Sequence, residues 1–182
     1  VDRIDFANDT ATTSRRGDLA SARQQAAASS SLSHAYFGGG GTTPVSIVDR
    51  VDYSNDTPVA SIRGPLSEVR ELLAATGTSN SGYFIGGHAG PGVRSTVDRI
   101  DYGSDTVAAV QKGNMTTKRY SLQAVGNQSY AYGVGGLNHL GSETSSTDRI
   151  DYSNDTATAV AKGSLSDEVK TAAGTGNADF GY

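Results

Sequence analysis

The ten residues Thr147–Thr156, TDRIDYSNDT, constrain this chain more than any other feature, because the stretch occurs four times. VDRIDFANDT begins at Val1, VDRVDYSNDT at Val48 and VDRIDYGSDT at Val97. The leading aspartates Asp2, Asp49, Asp98 and Asp148 stand 47, 49 and 50 residues apart. Self-similarity at such a period means an array of equivalent units that bury their cores against one another. It also restrains any functional reading. A feature shared by every unit is first a structural device, and chemistry that belongs to one site is not expected four times over.

Within a unit the spacing is rigid. Fifteen residues after each leading aspartate comes Gly17, Gly64, Gly113 or Gly163, and two residues later Leu19, Leu66, Met115 or Leu165. Thirty-four residues after it comes Tyr36, Tyr83, Tyr132 or Tyr182. Glycine pairs follow at Gly38-Gly39, Gly86-Gly87 and Gly135-Gly136. All the variation in length falls after those pairs, at about 41–46, 88–95 and 137–146, which makes that segment the one permissive loop.

The second unit is the clearest. Thr43–Tyr53 alternates branched or aromatic residues with polar ones, the period of a strand. Ser54-Asn55-Asp56 supplies the side chains that form tight turns. Thr57–Arg63 alternates again as a return strand, with Pro58 placing it at an outer edge or a strand start. Gly64-Pro65-Leu66-Ser67 is a turn with Leu66 as its buried plug. Glu68–Ala75 has helical propensity, yet its counterpart after Val169 is a poor helix. It reads as a loop entering a small-residue strand, Leu72–Gly77. Thr76–Asn80 turns the chain, and Gly82–Gly87 is a strand ended by glycines. Four short strands per unit result. With 23 glycines, 36% hydrophobic residues and only 13 Phe plus Tyr, a large helical core is excluded in favour of short strands and glycine turns. Small residues on one strand and bulky, charged ones on another form the gradient of a blade packed around an axis.

The order of small-residue strand, turn, aromatic strand ending in Gly-Gly, variable loop and strand ending in Asp-Tyr resembles the kelch repeat. Tyr83-Phe84-Ile85-Gly86-Gly87 and Tyr132-Gly133-Val134-Gly135-Gly136 match the kelch doublet, and Asp52-Tyr53 and Asp151-Tyr152 match its tyrosine strand. The kelch tryptophan is absent, with Ala, Val or Thr in that strand. The text from Asp148 to Ala159, with Lys162-Gly163, Leu165-Ser166, Thr175-Gly176-Asn177 and Phe180-Gly181-Tyr182, is similar to repeats in large virion-associated proteins of aquatic tailed phages. The resemblance implies an all-β, kelch-like β-propeller of four-stranded blades in one repeat domain, 1–182. The blades fall at about 20–63, 70–112 and 119–162. Half-blades at 1–16 and 168–182 complete one further blade within one chain or between chains. The opening at Val1 without an initiator Met suggests a processed chain or part of a longer one.

Candidate chemistry is sparse. Arg3/Asp5, Arg50/Asp52, Arg99/Asp101 and Arg149/Asp151 lie two apart on a strand face and read as repeated ion pairs that lock a blade or its neighbour. The Asn-Asp-Thr turns lack the dense acidic spacing of a calcium loop. Asn8, Asn55, Asn114, Asn127 and Asn154 lie in glycan-acceptor patterns, but the turn accounts for those of the repeat. The Gly38–Gly41 run has neither the helix nor the lysine of a phosphate loop. His34, His88 and His139 share no spacing, so no zinc site or triad forms, and neither metal nor cofactor is expected. Without cysteine there are no disulfides or thiolate sites, and no redox compartment is chosen. A net charge of −4 with no basic run argues against nucleic acid, and no apolar run is long enough for a helical membrane span.

The variable loops remain, all joining the second and third strands and so emerging on one face. Their candidate binding residues are Val45, Ile47, His88, Pro91, Arg94, Asn138, His139 and Glu143. The expected role is non-enzymatic: a structural or adhesive module of a virion or extracellular assembly, contacting other assembly proteins or a cell-surface glycan. Two alternatives stand beside it. One is a fibre-forming homo-oligomer built by strand exchange of half-blades. The other is a carbohydrate-active propeller enzyme, which would need acidic residues where Thr76, Val125 and Thr175 stand at the axis.

Overall fold

The computed structural model describes residues 1–90 and 92–182, and the chain is all-β. Its first sheet pairs β1 (Asp2–Arg3) with β2 (Ser14–Arg15). Three four-stranded antiparallel sheets follow, each laid down in chain order. The first holds β3 (Ala27–Ser30), β4 (His34–Gly38), β5 (Val48–Asp52) and β6 (Ser61–Arg63). The second holds β7 (Ala74–Gly77), β8 (Ser81–Ile85), β11 (Val97–Asp101) and β12 (Val110–Gln111). Its variable loop folds into a hairpin of β9 (His88–Ala89) and β10 (Gly92–Val93). The third holds β13 (Gln123–Gly126), β14 (Tyr130–Val134), β15 (Thr147–Asp151) and β16 (Val160–Lys162). After it, Thr175 and Tyr182 exchange backbone hydrogen bonds of 3.0 and 2.8 Å in a small hairpin.

The register repeats without slippage: Tyr36 faces Arg50, Tyr83 faces Arg99 and Tyr132 faces Arg149. A slip of one residue would turn every side chain to the wrong face, so the alternating pattern of the repeat holds it. The core lies between sheets. Phe84 packs toward the first sheet with Tyr36, Val48 and Leu66. Its neighbours Tyr83 and Ile85 point the other way, to Met115, Leu122 and Ile150. The second sheet is therefore buried on both faces. Leu66 and Met115 are the buried plugs that their position in the repeat predicts.

The strands are shorter than their patterns suggest, for three local reasons. Leu72 takes φ 54°, so the small-residue strand starts at Ala74 rather than Leu72. Gly86 and Gly87, at φ 63° and 105°, end β8 at Ile85. Thr57–Ala60 makes no ladder, because this stretch docks on the preceding unit: a Cβ on Gly17 would lie 1.7 Å from the Pro58 carbonyl oxygen. Glu68–Ala75 is not helical. Among the described residues no helix is long and apolar enough to cross a membrane.

Segments of β3, β7 and β13 line one cavity of about 290 Å³ together with Gly174–Gly176. These are the small-residue strands, and small side chains let them converge there.

Candidate functional site

Three places gather charge, burial or exposure: the junctions between units, the roots and tips of the variable loops, and the shared cavity.

At each junction an aspartate of one unit enters the unit before it. Asp105 accepts hydrogen bonds from Arg50 Nη1 at 2.8 Å and from the Tyr36 hydroxyl at 2.9 Å, with Arg63 Nε 3.6 Å away. Asp155 repeats this with Arg99 at 2.6 Å, Tyr83 at 2.8 Å and Lys112 at 3.2 Å. Asp56 takes Arg3 at 3.0 Å and Arg16 at 3.3 Å. The backbone joins in: Gly17, Gly64 and Gly113 donate to the carbonyls of Asp56, Asp105 and Asp155 at 2.8 Å. A side chain on Gly64 or Gly113 would meet the next unit's carbonyl at 1.7 Å, so glycine is required there by close approach. Tyr36 stacks on Tyr102 with ring centroids 4.5 Å apart, and Tyr83 packs on Tyr152 at 4.6 Å.

This corrects the expected pairing within a strand. Arg3, Arg50 and Arg99 bind the next unit's aspartate, not Asp5, Asp52 and Asp101. Those carboxylates serve their own turns, accepting the N–H of Ala7, Ser54 and Gly103 at 2.9, 2.8 and 3.0 Å. Asp151 likewise accepts from Ser153 at 2.9 Å. Hydrogen bonds from the Ser54 and Ser153 side chains, then their backbones, hold the Asp52 and Asp151 carboxyls below their ordinary range. Arg149 reaches no aspartate among the described residues. Its guanidinium lies 4.3 Å from the Tyr130 ring centroid and its Nε is buried without a partner.

Burial pushes the Tyr36 and Tyr83 hydroxyls up to about 12, and their bonds to Asp105 and Asp155 add to it. Tyr102 also rises to about 12 by burial, against the opposing effect of its 2.7 Å hydrogen bond with Ser29. Both junction tyrosines are thus locked as neutral donors.

A second set of charges went unread in the sequence. Arg70 and Arg119 are fully buried and bind the leading aspartates Asp98 and Asp148 at 2.6 Å; Arg23 binds Asp49 at 2.5 Å. The same guanidinium ties both stems of the variable loop. Arg70 Nη1 donates to Gly86 O at 2.7 Å and Thr96 O at 3.0 Å. Arg119 Nη1 does so to Gly135 O at 2.8 Å and Ser146 O at 2.6 Å. Burial lowers the pKa of Arg70 and Arg119, while Asp98 and Asp148 favour the charge. The signal was available: an arginine stands 21 residues after the leading aspartate in three units, and Val169 replaces it in the fourth.

The candidate loop residues divide between roots and tips. Val45 bridges Arg70, and the Ile47 carbonyl accepts the Gly39 N–H at 3.0 Å. His88 exchanges backbone bonds with Glu71, and its ring lies 5.5 Å from that of Tyr120. Arg94 donates to Glu68 at 2.8 Å, and Glu143 pairs with Lys170 at 3.0 Å. Burial raises the Glu68 carboxyl, but hydrogen bonds from Thr96 and Arg94 outweigh it and the net direction is down. Asn138 caps its loop, accepting from Leu140 and Ser142 at 2.8 and 3.1 Å. Of the described members of the set, His139 alone is exposed, at a tip shared with Leu140, which is 76% exposed. Pro91 lies outside the described residues.

The shared cavity is lined by Ser29, Ser30, Thr76, Val125 and Thr175, with alanines and glycines making up the rest. No carboxylate or imidazole lines it among the described residues. Comparison with protein-family models, and with curated proteins, finds no match to this chain.

Proposed function

We propose that the chain is an arc of a kelch-like propeller serving as a non-catalytic attachment module of a virion or another extracellular assembly. One observation carries the reading. Four equivalent small-residue segments converge on one cavity, while the segments that vary in length all leave from the same end of the strands. A framework held constant beside freely changing loops is the arrangement of a recognition surface. The cavity supports binding over sugar cleavage, since Thr76, Val125 and Thr175 stand where a glycosidase would need paired acids. The contact would be made by the loop tips, with His139 and Leu140 foremost, and the partner would be an assembly protein or a cell-surface glycan. Replacing Asn138–Ser142 by a glycine-serine linker tests this. Binding to host-cell surfaces or a glycan panel is expected to fall at least tenfold while the melting temperature stays the same. Undiminished binding would turn the reading away from the loops.

The fibre-forming alternative is favoured by a separate observation: residues 1–16 and 168–182 form an outer and an inner strand pair, and among the described residues no hydrogen bond joins them.

A further inference from the structure

Resting on the propeller reading, we infer that the two ends of the arc are the two halves of one interface, occupied by a second copy of this chain. Residues 168–182 of one copy and 1–16 of the next form a shared four-stranded sheet. The repeat sets its register: Tyr182 faces Arg3 and Gly181 faces Ile4, as Tyr132 faces Arg149 and Ala131 faces Ile150.

Every element of the internal junction has its counterpart at the ends. Arg149 and Lys162 match Arg99 and Lys112, yet pair with no carboxylate among the described residues. Asp9 matches Asp56, Asp105 and Asp155, yet pairs with no cation there. Gly163 matches Gly64 and Gly113, but among the described residues nothing lies within 4 Å of where its Cβ would be. Phe6 matches the stacked Tyr102 and is 91% exposed.

The choice of aromatic residue identifies the partner. Tyr102 bonds the Ser29 hydroxyl, and the Tyr152 hydroxyl sits beside Thr76. At the same repeat position the third unit carries Val125 and the fourth Thr175. Val125 needs an aromatic ring without a hydroxyl, and Phe6 is the one repeat copy that lacks it. Thr175 needs a tyrosine, and Tyr53 is available at 47% exposure. The surfaces fit as well. A groove of about 230 Å³ beside Val125, Tyr132 and Phe180 receives Phe6. One of about 320 Å³ beside Arg3, Ile4 and Tyr53 receives Tyr182, whose hydroxyl then completes the Asp56 cluster. Among the described residues no hydrogen bond or ion pair joins the two halves within one chain, and the charge and shape of each half fit the other half of a second copy. Val169 replaces the buried arginine in the shared sheet, so this joint is the weakest of the series and suits reversible association. Such a contact is heterologous and gives rings when it closes or filaments when it does not.

Sedimentation of the 182-residue chain over a range of concentrations should show association to twice its 18.7 kDa mass or beyond. An 18.7 kDa species at every concentration overturns the proposal. Asp9→Arg and Arg149→Asp should each weaken association at least tenfold. Mixing the two variants should restore it, since opposite charges meet again at both joints; failure to restore overturns it. A chain carrying Phe6→Cys and Val125→Cys, treated with a short bis-maleimide, should give covalent dimers and larger species. Linkage only within single chains means the ring closes on itself and also overturns it. The same treatment of Ser29→Cys with Tyr102→Cys should link within one chain. If it does not, the side-by-side arrangement of sheets fails, and the propeller reading with it.

Discussion

Asp105 and Tyr36 are too far apart in the sequence for any local pattern to join them, yet their contact organises the junction. The repeat announced both residues and gave neither a partner. Two-residue spacing does put Arg50 and Asp52 on one strand face, but the turn's N–H groups claim the Asp52 carboxylate first. Arg50 is then left to reach across to Asp105. The tyrosines give a pH test. Tyr36 and Tyr83 are bound as neutral phenols with pKa values raised from 10.0 to about 12. A group raised on folding stabilises fully below its unfolded value and loses that contribution as pH climbs through the folded one. Melting temperature should hold up to pH 10 and fall between pH 10 and 12. Tyr83→Phe should cost roughly 1.5–3 kcal/mol at pH 8, the range for a hydrogen bond to a charged group, and flatten the alkaline fall. Thermal melts from pH 8 to 12 check both.

The strands of each sheet were legible in order and number, because alternation and glycine punctuation survive in every unit. Their lengths were not. Leu72 adopts a left-handed backbone that nothing in its side chain favours, and Thr57–Ala60 gives up its ladder to dock on the preceding unit. Both are decided by neighbouring units and lie beyond any window of ten residues. The glycine doublet, by contrast, was plain. Gly86 takes φ 63°, and a Cβ there would lie 2.6 Å from the Arg119 carbonyl oxygen. Gly86→Val therefore meets both a disfavoured backbone, at about 1–2 kcal/mol, and a clash with the Arg119 backbone in the segment before β13. Denaturant unfolding should show a loss of more than 2 kcal/mol, roughly the backbone cost alone with the clash added. An unchanged midpoint would rule out the φ assigned to this position.

Across the whole molecule the three sheets share two cores and are clasped by buried charge, so they should melt as one body. In repeat architectures that unity depends on the interfaces between neighbours. Asp105→Asn removes the anion from a pair of arginines and a tyrosine, and taking one partner from a buried ion pair costs roughly 3–5 kcal/mol. Calorimetry should then resolve the first sheet melting below the other two, where the parent chain shows one transition. The unit period made the succession of small antiparallel sheets legible. The buried arginines stayed hidden because a lone basic residue in a loop reads as solvated until its distance from the leading aspartate is compared across units.

Arg70 and Arg119 each grip both stems of a loop and, among the described residues, donate to nothing between them. The clamp is thus indifferent to the text it encloses. A lineage can rewrite or lengthen the codons for 138–142 without disturbing any contact that keeps the body folded, so novelty at the tip and permanence at the root are inherited separately.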